Sequence, residues 1–71
     1  MSFAQMEIIL LKEGYRPGAP SAEATKIDRM IASRSICNSC HIQGMEYAPY
    51  SKEGSYRAFA ICPRCKYFIE F

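Results

Sequence analysis

Four cysteines fall into two pairs of identical spacing, Cys37-Asn38-Ser39-Cys40 and Cys62-Pro63-Arg64-Cys65, with 21 residues between the pairs. Cysteines three positions apart can turn both sulfurs toward one point on a tight knuckle, leaving backbone amides free to bond the thiolates. Two facing knuckles complete a tetrahedral four-thiolate shell, the closed geometry of structural zinc. The interval between the pairs has room for a hairpin that brings the knuckles together. A chain of 71 residues needs such a staple, because domains this small bury only about 60% of the surface their unfolded chains expose.

Other readings of the same cysteines carry less. Cys37, Cys40 and His41 fit the CxxCH string of haem c attachment, but that leaves the second pair unexplained, and covalent haem needs an export signal. Rubredoxin-type iron uses the same ligand set, and tetrahedral sulfur geometry does not separate the two metals. Cys62 and Cys65 also match a thioredoxin-like redox pair, yet no βαβ framework surrounds them. The expectation is one Zn2+ per chain, held by Cys37, Cys40, Cys62 and Cys65, with iron the lesser alternative. A closed four-cysteine shell has no open position for a reacting water. No Ser-His-acid grouping, phosphate loop or carboxylate pair stands elsewhere, so no enzyme is expected.

Composition sets the class. With 49% hydrophobic, 23% charged and 13% aromatic residues, the chain reads as one globular domain over residues 1–71. The formal charge is +2. Four thiolates and a divalent ion bring that close to neutral, which argues against a binder that relies on phosphate contacts. Every apolar run, residues 8–11 included, is far short of the ~20 residues that span a bilayer, and nothing resembles a secretory signal. No membrane is expected, and reduced thiols suit a cytoplasmic location.

The first 35 residues read as helical. Ser2 with Gln5 suggests a capping box and Gly14 a stop, predicting a helix over residues 2–13; a buried strand over residues 8–11 is the alternative. Pro17, Gly18 and Pro20 predict an irregular connector over residues 15–20. Ser21 caps a second helix running to Arg34, whose inward stripe is expected to be Ala24, Ile27 and Ile31, widened by Met30. From Ile36 onward, strands are expected over residues 45–50, 55–61 and 67–71, with a turn over residues 51–54.

Residues 36–71, on this cysteine spacing and strand pattern, resemble a zinc ribbon. The resemblance implies one knuckle before a hairpin, a second at the end of its return strand, and a third strand following. Cys37 and Cys40 take the first pair and Cys62 and Cys65 the second. Many ribbons carry Gly just after the second cysteine of a knuckle; His41 and Lys66 stand there instead. The expected fold is small α+β, with N-terminal helices (1–35) packed on a three-stranded antiparallel zinc ribbon (36–71).

The surface carries the functional expectation. The first helix has an apolar arc too wide for one stripe of packing, so Phe3, Met6, Leu10 and Leu11, with Tyr47 and Tyr50 nearby, are candidate partner-binding residues. The partner is a larger protein or assembly, or a second copy in a homodimer. Seven aromatics in the ribbon half fill the core or supplement that face. A nucleic-acid-binding or transcription-associated ribbon is the second reading, with Arg57, Arg64 and Lys66 on phosphates and Tyr56 and Tyr67 stacking bases. Glu46, Glu53 and Glu70 lie in the same half and favour a mixed, solvated surface. An iron electron-transfer protein is the third reading.

Overall fold

The computed structural model describes residues 2–71. The elements in chain order are α1 (Phe3–Lys12), β1 (Arg16–Pro17), α2 (Ala22–Arg34), β2 (Glu46–Lys52), β3 (Ser55–Ile61) and β4 (Phe68–Glu70). The strands form one antiparallel sheet in the order β1-β2-β3-β4. The sheet therefore has four strands, one more than the cysteine and hairpin pattern predicts. The extra strand lies in the supposed connector. Pro17 is tolerated because an edge strand bonds on one side only, and a residue without an N–H fits there. Gly18 N–H donates to Pro49 O at 3.0 Å and Ser51 Oγ donates to Gly18 O at 2.8 Å, extending the attachment.

Local chemistry fixes the element ends. Ser2 and Gln5 form the reciprocal capping box at α1. Gly14, at φ +94°, lets the chain leave α1 so that Tyr15 N–H closes on Leu10 O at 3.0 Å. Ser21 Oγ accepts from Ala24 N–H at 3.1 Å at the start of α2. At its end, Gly44 N–H and Met45 N–H reach back to Ser35 O and Ala32 O, each at 3.0 Å. Ser51 and Lys52 belong to β2, so the hairpin turn is the two residues Glu53 and Gly54, shorter than the four expected.

The strand register sorts side chains onto two faces. Ala48, Tyr50, Phe59 and Phe68 share one face, whereas Tyr47, Tyr56, Ala58, Ala60 and Ile69 share the other. The helices cover opposite faces. On the first, Leu10, Tyr15, Tyr50 and Phe59 form a buried cluster with Phe3 and Met6 against it. The Phe3 ring meets Phe59 and Phe68 edge-on at 5.5 and 5.4 Å, a favoured aromatic geometry. On the second, Ala32, Met45 and Ala60 pack with Cys37 and Cys62. Two small cores thus form, one on each face of the sheet.

A tyrosine–carboxylate hydrogen bond ties each helix down. Tyr50 OH donates to Glu7 of α1, and Tyr56 OH donates to Asp28 of α2, with Tyr47 OH bonded to Tyr56 OH in turn. The Asp28 bond sets the rotation of α2 about its axis. It turns Asp28 and Ala32 inward and leaves Ile27, Met30 and Ile31 51%, 47% and 48% exposed. The stripe of Ala24, Ile27, Ile31 and Met30 expected to face the core points largely to solvent. No helix among the described residues is long and apolar enough to cross a membrane.

Candidate metal centre

The two knuckles have the same construction. In the first, which follows α2, Cys37 N–H donates to Ile42 O at 3.0 Å and His41 N–H donates to Cys37 O at 2.8 Å. In the second, which follows β3, Cys62 N–H donates to Tyr67 O at 2.7 Å and Lys66 N–H donates to Cys62 O at 3.0 Å. Each chain reversal passes through a residue with positive φ just after the second cysteine, His41 at 63° and Lys66 at 66°. The glycine-like turn is thus present without the glycine.

These turns bring the four sulfurs together at one end of the sheet, over the core made by Ala32, Met45 and Ala60. All four Sγ atoms lie within 4.8 Å of one another, with Cys37–Cys65 at 3.4 Å and Cys40–Cys62 at 3.3 Å. A tetrahedron with Zn–S bonds of about 2.3 Å has an edge of about 3.8 Å, so the grouping is of the size of such a shell. The same separations are too long for disulfides, whose sulfurs sit about 2.05 Å apart. All four cysteines are free thiols. Cys37 and Cys62 are buried, Cys40 is half-buried and Cys65 is exposed.

Electrostatics favour a cation here. The Cys65 amide, helped by that of Arg64, outweighs burial and pulls the Cys62 thiol down to about 6. Burial works to raise the Cys37 thiol, but the Cys40 and Ser39 amides and the Cys65 sulfur hold it below its ordinary value. The Ile42 backbone works to lower Cys40, yet burial and the three neighbouring sulfurs push it up to about 12. Four crowded sulfurs cannot all ionise unbalanced. A divalent cation supplies the balance and accepts four thiolates. His41 is exposed and stands outside the four-sulfur group.

The candidate docking residues separate in space. Leu10 and Tyr50 are 0% and 4% exposed and belong to the core, and Phe3 and Met6 are half-buried against it. Tyr47 is half-buried and bonded to Tyr56. Of the six, Leu11 alone is exposed, beside Ile8 on the outer side of α1, with Ile9 exposed on the opposite flank. The exposed apolar face of α2 was missed, because its periodicity reads equally well as a core stripe; Asp28 among those apolar positions is the signal that could have revealed it.

The basic residues separate as well. Arg57 donates two hydrogen bonds to Glu70, at 2.8 and 2.7 Å, and lies 4.0 Å from Glu13. That pairing raises the Arg57 pKa and lowers that of Glu70. Arg57 and Tyr56 project from opposite faces of β3, so they form no common platform. Arg64 and Lys66 remain exposed at the second knuckle.

No protein-family model matches the chain, and comparisons with curated proteins and with solved structures find no match.

Proposed function

We propose that this chain is a non-catalytic zinc-binding protein, a metal-stapled module that docks on another protein, in a reducing, cytoplasmic setting. The observation that carries the reading is the convergence of Cys37, Cys40, Cys62 and Cys65 from two equivalent knuckles onto one point. Zinc bound there supplies cross-linking of α2, the β2–β3 hairpin and β4, with no ligand position left for substrate chemistry. Docking is supported by apolar side chains exposed on both helices, Ile8, Ile9 and Leu11 on α1 and Ile27, Met30 and Ile31 on α2.

Of the three basic residues of the nucleic-acid reading, Arg57 has its guanidinium engaged by Glu70. The test is purification under reducing conditions followed by elemental analysis and recovery of bound proteins. One zinc per chain with a protein partner is the expected result. Iron with visible thiolate absorption overturns the zinc, and tight nucleic-acid binding with a steep salt dependence overturns the protein partner.

A further inference from the structure

We infer that the outer face of α2 is a self-pairing surface, on which a second copy of this chain packs its own α2 in antiparallel orientation. This rests on the reading of the chain as an interaction module and names one partner for it. At about 100° per residue, Glu23, Met30, Arg34 and Ile27 fall within about 60° of one another around α2. They lie on the side opposite Asp28 and Ala32, which face the sheet. The face is therefore an apolar centre with an acid at its N-terminal end and a base at its C-terminal end.

Glu23 and Arg34 are both exposed, and among the described residues neither has an ion-pair partner. Within one chain they stand eleven positions apart, about 16 Å along the axis, too far to meet. A two-fold axis crossing α2 midway between them solves this. It places Glu23 of each copy against Arg34 of the other and Ile27 against Met30. Antiparallel alignment also opposes the two helix dipoles. A partner with α2 parallel sets Glu23 against Glu23 and Arg34 against Arg34, so the charges select one orientation. The apolar area is small for a permanent complex, and the dimer belongs to the weak, concentration-dependent class.

The test uses the full chain as purified, with sedimentation equilibrium across a concentration series and metal content and circular dichroism recorded on the same samples. The wild type is expected to shift from monomer to dimer as concentration rises. Glu23→Arg and Arg34→Glu each place like charges across the axis, and each is expected to weaken the dimer by about tenfold or more. Mixing those two variants restores both pairs and is expected to yield a one-to-one heterodimer. A folded monomer at every concentration overturns the self-pairing and leaves the zinc module standing. So does a dimer that neither charge variant nor Ile27→Glu weakens. A dimer with the expected charge pattern in protein that binds no zinc supports the pairing and removes the metal from the function.

Discussion

His41 and Lys66 hold the same place in their knuckles and the same left-handed backbone, at φ 63° and 66°. Each sits where its N–H can return to the carbonyl of the first cysteine of its own pair. A side chain in that region pays about 1–2 kcal/mol in steric strain. Both residues are exposed, so nothing packed depends on either side chain. His41→Gly and Lys66→Gly are each expected to stabilise the protein by up to about 1 kcal/mol, after the extra unfolded-chain entropy of glycine is set against the relieved strain. Thermal unfolding of the metal-loaded protein checks this; a lower midpoint for both variants would contradict the strain.

Metal removal is expected to unfold residues 36–71. Binding at four-cysteine zinc sites is worth on the order of 10 kcal/mol, comparable with the whole stability of a small domain. Chelation should abolish the cooperative transition seen by circular dichroism, and zinc should restore it. Cys62→Ser is expected to do the same without a chelator, since Cys62 joins ligand and core at 0% exposure. Unchanged spectra after complete metal removal would sink the stapling argument.

The cysteine shell was legible in the sequence because a knuckle is a local structure, fixed by residues within six positions of one another. The hairpin and last strand were legible for a similar reason, since Arg57, Phe59 and Ile61 alternate with smaller residues over a short stretch. The fourth strand was not, because Pro17 and Gly18 break regular structure in isolation and pair only once β2 offers an edge. The rotation of α2 was hidden for a different reason. Apolar periodicity assumes that large side chains turn inward, whereas Asp28 finds Tyr56 on the sheet and carries the helix round with it. With α2 on the second face, Tyr47 packs against a buried cluster and Tyr56 bonds Asp28 of the helix that covers it.

That Asp28–Tyr56 bond leads to a second stability prediction. Tyr56→Phe leaves the Asp28 carboxylate and the Tyr47 hydroxyl without their shared partner. Losing such a bond in a partly buried setting costs about 1–3 kcal/mol. Asp28→Ala is expected to cost a similar amount, and the two changes together less than their sum, because they remove one shared interaction. Denaturant unfolding of the two single variants and the double variant measures the coupling; strict additivity would show that the bond does not hold α2.

Tyrosine ionisation predicts the alkaline limit. Burial first, and then the Glu7 carboxylate, push Tyr50 up to about 12; burial and Asp28 push Tyr56 upward as well. A group raised in the folded state gives its full stabilisation below its unfolded pKa, near 10. That contribution is lost as pH rises from about 10 through the folded value. Stability should therefore hold up to about pH 10 as far as these tyrosines are concerned, then decline, and Tyr50→Phe should flatten the decline. Glu70, lowered by Arg57, works in the opposite sense. Its contribution is present above its ordinary pKa and is lost as pH falls, in the same direction as proton-driven release of metal from the thiolates. Unfolding midpoints across the pH range, with tyrosinate absorbance followed in parallel, check both limbs.

Adjacent leucines on α1 give the sharpest separation of core from surface. Leu10 is fully buried between Tyr15, Tyr50 and Phe59, whereas Leu11 is 43% exposed on the outer side with Ile8. Leu10→Ala removes buried methyl groups and leaves a cavity, so it is expected to cost about 2–5 kcal/mol. Leu11→Ala removes a half-solvated side chain and should change monomer stability by about 0.5 kcal/mol or less. If the outer side of α1 also meets a partner, Leu11→Ala and Ile8→Ala should weaken that association while the monomer stays folded. Unfolding measured beside partner recovery distinguishes the two roles. Equal stability losses at Leu10 and Leu11 would place both in the interior and remove α1 as a docking surface.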